Sequence, residues 1–185
     1  MKGSVELKKV DAEDITKTIQ GARFAIYEEG NLSQPVQEKE TDEQGVIRFE
    51  DLRYGNYIIK ETQAAPGYFH DPDKEYPVTI SEHGKVIPVT VTNQRLQVQV
   101  EVKKYAMNEG GSPLAGVTFE LRDGKDQVLD TFTTDYNGVG KSKPLDLTEF
   151  PEGCYVVETK GLPGYKPDDT HYHVSPDRNA NIQLQ

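Results

Sequence analysis

One stretch of this chain occurs twice. Tyr57-Ile-Ile-Lys-Glu61-Thr-Gln-Ala-Ala-Pro66-Gly67-Tyr68 and Cys154-Tyr-Val-Val-Glu158-Thr-Lys-Gly-Leu-Pro163-Gly164-Tyr165 each join an apolar strand pattern to a carboxylate and then break at Pro-Gly-Tyr. The Tyr follows the Glu by seven residues in both copies. Strand side chains alternate between faces, so Tyr57, Ile59 and Glu61 share one, and Glu61 follows two large apolar residues inward. A strand-end glutamate ordinarily caps a turn or pairs with a surface lysine. Here the recurrence argues for an interior role, because each copy follows a strand in which a Lys ends a row of inward apolar positions. It also divides the chain into two units of roughly ninety residues.

Composition agrees with small β units. The 185 residues include 16 Gly and 11 Pro, and no stretch sustains a helical period, which predicts an all-β fold. Units of this size bury a modest core, so a covalent staple would be useful to them. The net charge of −10 argues against binding a phosphate backbone, so nucleic acid is not an expected partner. A single Cys cannot form an internal disulfide. No apolar run is long enough to span a bilayer and no signal peptide is visible, so no membrane insertion is expected of this segment. Met1-Lys2-Gly3-Ser4 reads as a start codon plus vector remnant, which predicts a piece of a longer protein.

In the first unit, Val5, Leu7 and Lys9 alternate onto one face. Asp11 to Lys17 reads as a charged loop, and Ala22, Phe24 and Ile26 form the next inward row. Asn31 to Glu40 is polar and reads as mobile. Thr41-Asp-Glu-Gln-Gly45 is a turn delivering Val46 to Phe49. After the Glu61 strand and an acidic loop come Tyr76 to Ile80, a turn at His83-Gly84, and a last strand whose Val89, Val91 and Asn93 face in. The second unit repeats the order from Val98 to Lys104 through Leu114 to Leu121, Thr134 to Gly138, Glu158, and Tyr172 to Val174. Only Gln94 to Leu96 separates the copies, too short for a flexible tether. The expected boundaries are therefore 1–94 and 95–185.

Lys9, Glu61 and Asn93 form a constellation that no ordinary core requires. The plain reading is a buried ion pair with an amide partner, costly unless well paired. The sharper reading is a reaction. Burial lowers a lysine pKa and raises a glutamate pKa, which favours a neutral, nucleophilic amine and a protonated carboxyl. Such a carboxyl against the Asn93 amide would polarise its carbonyl and shuttle protons while ammonia leaves. The product is a Lys-to-Asn amide bond.

These residues carry a resemblance. Lys9-Val10-Asp11, Gly21-Ala22-Arg23-Phe24, Thr41-Asp42 with Gly45, Gly55-Asn-Tyr57, Glu61 with Ala65-Pro66-Gly67-Tyr68, and Val91-Thr92-Asn93 together resemble the B-type (CnaB-like) repeat domains of Gram-positive surface adhesins and pilins. The resemblance implies tandem Ig-like or prealbumin-like β-sandwich domains. It also implies a spontaneous isopeptide cross-link between Lys9 and Asn93, with Glu61 as catalytic acid. The second unit matches at Lys104, Gly116, Thr134-Asp135, Gly138, Glu158 and Pro163-Gly-Tyr165, giving Lys104 and Glu158 the corresponding roles. It departs in a shorter strand that brings Cys154 into phase with Val156 and Glu158. Ile182 and Leu184 match Val89 and Val91, so the expected acceptor falls at the residue after Gln185. Asn179 or Asn181 would serve only through a register shift or bulge.

The remaining features point to ordinary roles. Cys154 in phase with Val156 reads as a core thiol rather than a thioester former. His171 and His173 share a face but lack a third metal ligand at fitting spacing. The acidic pairs Asp71 with Asp73 and Asp168 with Asp169 lack the periodicity of a calcium loop. No metal or cofactor is expected. The resulting expectation is a structural stalk or shaft segment of a Gram-positive adhesin or pilus, extracellular and cell-wall-anchored, with neighbouring domains of the same protein as partners. The alternative is an adhesive module recognising a host protein or glycan, against which stands the absence of Trp and of an aromatic or Arg-rich patch. A turnover enzyme is disfavoured because the reactive constellation consumes itself.

Overall fold

The computed structural model describes residues 1–107, 110–174 and the strand 183–184. It divides into Met1–Arg95 and Leu96–Gln185. The first unit contains β1 (Lys2–Asp11), β2 (Arg23–Glu28), β3 (Gln37–Glu40), β4 (Val46–Arg53), β5 (Gly55–Gln63), β6 (Glu75–Ile80) and β7 (Val86–Asn93). These form two sheets, β4-β1-β7 and β3-β2-β5-β6. The alternation read from the sequence holds, with Val5, Leu7, Phe24, Ile26, Phe49 and Ile59 fully buried in one core. β1 and β7 run parallel, with Leu7 opposite Val89, Lys9 opposite Val91 and Asp11 opposite Asn93. The first and last strands of the unit are thus neighbours.

Several local expectations need correction. Gln37–Glu40 belongs to the polar stretch read as mobile, yet it is a strand pairing with β2. Asp11 is not a loop residue; it ends β1 and is fully buried. Lys2 to Ser4, read as a remnant, are integral to β1, where Lys2 and Gly3 pair with Arg53 and Leu52 and Ser4 pairs with Val86.

The second unit contains β8 (Gln97–Val98), β9 (Glu101–Lys103), β10 (Thr118–Asp123), β11 (Val128–Thr133), β12 (Val139–Lys141), β13 (Leu145–Asp146), β14 (Cys154–Lys160), β15 (Tyr172–Val174) and β16 (Gln183–Leu184), with a short 3-10 turn at Leu147–Glu149. The sheet β11-β10-β14-β15 repeats β3-β2-β5-β6, and β12-β9-β16 repeats β4-β1-β7. The counterpart of β1 is split into β8 and β9. Opposite the break, Ser142 N–H donates to the Val100 carbonyl, and Ser142 Oγ accepts from the Val100 N–H. Pro144 follows and has no N–H to give to a ladder. The core gathers Val100, Val102, Phe119, Leu121, Val156 and Cys154.

Candidate functional site

Three strands of the first unit bring Lys9, Glu61 and Asn93 together. β1 delivers Lys9, whose backbone is gripped by the Thr41 to Gly45 turn: its N–H donates to the Gly45 carbonyl at 2.7 Å. The turn forms because Asp42 Oδ1 accepts from the N–H groups of Gln44 and Val46, an Asx turn. Gly45 has φ +71°, and a Cβ there would stand 2.6 Å from the Lys9 carbonyl oxygen, so both conformation and space demand glycine. β5 delivers Glu61 opposite Phe24 of β2, and β7 delivers Asn93.

The Lys9 side chain is 0% exposed, and its Nζ lies 4.0 Å from Glu61 Oε1. Among the described residues, this Nζ is the buried polar atom left with no hydrogen bond. Burial pushes the amine down to about 8, against the pull of Glu61 and Asp11 and with help from the positive charge of Lys74. Burial likewise raises the Glu61 carboxyl, with the Asn93 hydrogen bond and Lys9 opposing. Both members of the pair are thus biased toward their neutral forms. Asn93 Nδ2 donates to both Glu61 oxygens, at 2.8 and 3.0 Å. The carboxyl therefore meets the amide nitrogen, not the carbonyl oxygen; a half-turn of the amide would bring the expected carbonyl contact. A cavity of about 230 Å³ is lined by Glu61, Phe69, Asp71, Lys74, Tyr76 and Asn93.

In the second unit Lys104 and Glu158 also meet, but differently. Lys104 Nζ lies 3.1 Å from Glu158 Oε2, and its side chain is 23% exposed. Gly138 repeats the grip on the lysine backbone, its carbonyl accepting from Lys104 N–H at 2.8 Å. Asn179, Asn181, Ile182 and Gln185 lie outside the described residues. The described strand pair sets Leu184 opposite Val102, which corresponds to Val89 opposite Leu7. Leu184 therefore matches Val89 rather than Val91, and the position in phase with Asn93 falls four residues past Leu184, not at the residue after Gln185. Parallel pairing has no hairpin turn to set its register, so sequence spacing alone misjudged it by one strand period.

The other candidates resolve simply. Cys154 is buried in the core, and burial raises its thiol to about 11, far from a reactive thiolate. His171 and His173 lie on the surface against the Tyr155 ring, with centroids 4.5 and 5.8 Å from it. Among the described residues, no group of His, Cys, Asp and Glu is placed to hold a metal ion, and no helix is long and apolar enough to cross a membrane. Sequence reasoning missed the buried Asp11, whose carboxylate bonds Tyr68 and Arg95. Its position two residues past Lys9 on the same strand face was the available signal.

Fold and site together define tandem prealbumin-like β-sandwich modules. The chain belongs to the SpaA prealbumin-like fold domain family, whose model matches residues 3–95 and again 98–185. This agrees with the CnaB-like motifs read from the sequence. A collagen adhesin of Staphylococcus aureus is 31% identical over 86 residues, which is 44% of this chain and 7% of the adhesin. The Bacillus anthracis TIE protein superposes with a TM-score of 0.67 at 26% identity, over 100% of this chain and 32% of that one. A streptococcal ancillary pilin gives a TM-score of 0.51 at 19% identity, over 100% of this chain and 61% of that one, a likeness of fold. The chain spans less than two thirds of the length of each of these relatives.

Proposed function

We propose that the chain is a structural segment of a Gram-positive adhesin or pilus, displayed outside the cell on a wall-anchored protein, and that its first unit is locked by a Lys9–Asn93 isopeptide bond. The observation that carries the reading is the sealed Lys9 amine, without a hydrogen bond and pushed toward neutrality, beside a Glu61 carboxyl that already holds the Asn93 amide. The neutral Lys9 Nζ attacks Asn93 Cγ. One amine proton passes through Glu61 to Nδ2, the Cγ–Nδ2 bond breaks, and ammonia departs as the new Nζ–Cγ amide forms. Glu61 ends as it began. Because the lysine and the amide are consumed, each molecule reacts once, and the role is mechanical rather than that of a turnover enzyme.

Lys104 and Glu158 take the corresponding parts in the second unit. With Leu184 opposite Val102, no residue described here stands as their acceptor. Partners are the neighbouring domains of the same surface protein, and the adhesin and pilin relatives support that setting. Intact-mass measurement of the denatured chain tests the proposal: a deficit of one ammonia is expected, and a full sequence mass rejects the cross-link.

A further inference from the structure

Asp11 sits two residues past Lys9 on the same face of β1 and is fully buried. Its Oδ1 accepts from the backbone N–H groups of Glu13 and Asp14 at 2.8 and 3.1 Å. Its Oδ2 accepts from the Tyr68 hydroxyl at 2.9 Å and from Arg95 Nε at 2.7 Å. Burial works against the charge, but these donors prevail and hold the carboxyl at about 2. At neutral pH it is therefore a buried carboxylate, with charge-assisted bonds of the stronger kind.

The origin of the two side-chain donors matters. Tyr68 follows Glu61 by seven residues and Arg95 follows Asn93 by two, so each sits just downstream of a reacting residue on its own segment. Backbone bonds reinforce the join. Ala12 N–H donates to the Asn93 carbonyl at 3.0 Å and Phe69 N–H to the Gln94 carbonyl at 2.9 Å, while Tyr68 and Arg95 form an antiparallel bridge. We infer that Asp11, Tyr68 and Arg95 are positioning residues for the cross-link, a latch that fixes the ends of the Lys9, Glu61 and Asn93 segments relative to one another so that the three side chains converge. The inference rests on the cross-link reading above.

The second unit supplies a built-in comparison. Ala106 occupies the place of Asp11, and Tyr165 is 46% exposed where Tyr68 is 8%. Its lysine is wetter, 23% exposed against 0% for Lys9, and forms a direct 3.1 Å ion pair instead of a sealed 4.0 Å approach. Reactions of positioned groups are sensitive to displacement, and about 1 Å of misplacement can cost on the order of a hundredfold in rate.

The test is a time course on the full chain. Cell-free synthesis is stopped with denaturant at intervals, intact mass follows ammonia loss, and protease resistance of parallel samples reports the folded fraction. Tyr68→Phe removes one donor but keeps the ring; Arg95→Met removes the other; Arg95→Lys restores a cation. Per folded molecule, Tyr68→Phe and Arg95→Met are expected to react at least about tenfold slower than wild type, with Arg95→Lys recovering part of the loss. A latch that served stability alone would lower the folded fraction and leave the rate per folded molecule unchanged, and that result overturns the inference. Should Arg95→Met not fold, the Tyr68→Phe rate decides. If the wild type keeps its full mass, the cross-link fails and the positioning role falls with it; if it reacts and the variants keep pace, the positioning role alone falls.

Discussion

Lys9 is the residue at which ordinary packing rules are broken, and its burial sets the pH behaviour of the site. A charged ammonium in a sealed site without a hydrogen bond is strongly disfavoured, and the amine responds by titrating near 8 instead of its ordinary 10.5. Because its folded pKa is depressed, the folded state binds the proton more weakly than the unfolded state does. Any variant that leaves Lys9 unreacted should therefore gain stability as pH rises from about 8 to about 10.5, and lose it again on return. Asn93→Ala compared with Lys9→Met/Asn93→Ala isolates the effect, with an expected swing of roughly 3 kcal/mol in the difference between their unfolding free energies. A flat difference across that window would mean that burial does not depress the Lys9 pKa. At the same scale, Glu61→Ala should leave a folded first unit that has lost no ammonia, since Lys9 and Asn93 keep their strands but lose the proposed proton carrier. Ammonia loss persisting in that variant would remove Glu61 from the chemistry.

Among the elements, the turn from Thr41 to Gly45 constrains the site most closely. Thr41 Oγ1 accepts from Ala22 N–H, Asp42 closes the turn, and the Gly45 backbone lies against the Lys9 backbone. Thr134, Asp135 and Gly138 repeat each of these contacts around Lys104. Gly45→Ala would combine a left-handed backbone with a Cβ driven into a main-chain oxygen, neither of which a rotamer change can relieve. We expect it to destabilise the first unit by about 2 kcal/mol or more. Gly30, also at positive φ but with nothing within 4 Å, is the control: Gly30→Ala should cost about 1 kcal/mol from the backbone alone. Denaturant unfolding in a Glu61→Ala background, free of the cross-link, measures both, and equal losses would show that the contact with Lys9 contributes nothing.

For the molecule as a whole, the consequence of the proposed bond follows from the pairing of first and last strands. A covalent link from β1 to β7 closes a loop of about 85 residues, and by the chain-entropy relation used for disulfides this is worth roughly 4.6 kcal/mol, with a bond that reductants do not cleave. The first unit of Glu61→Ala should therefore unfold at markedly lower denaturant than wild type, while the second unit, whose core is separate, should unfold as before. Coincident transitions in the two proteins would contradict the staple. Mass bears on the second unit too. One ammonia lost from the chain fits reaction at Lys9 alone, whereas two would mean that Lys104 has found an acceptor among the residues following Val174.

The inward placement of Lys9, Glu61 and Asn93 was legible in the chain because strand alternation is a local property: counting by two from Leu7, Ile59 and Val91 reaches each of them. The glycine turns were legible for the same reason. β3 was not, since Gln37–Glu40 is polar and is a strand by virtue of the partner that β2 offers it. Nor were the partners of Asp11: counting by two from Lys9 turns it inward, but its donors Tyr68 and Arg95 are 57 and 84 residues away in sequence. The register of Leu184 escaped as well, because a parallel strand with no hairpin turn takes its alignment from packing. Period and turn chemistry are written in neighbouring residues, and they determined which side chains face the core. Which of those side chains meet, and which charges find partners, depended on contacts between distant segments that only the folded chain brings together.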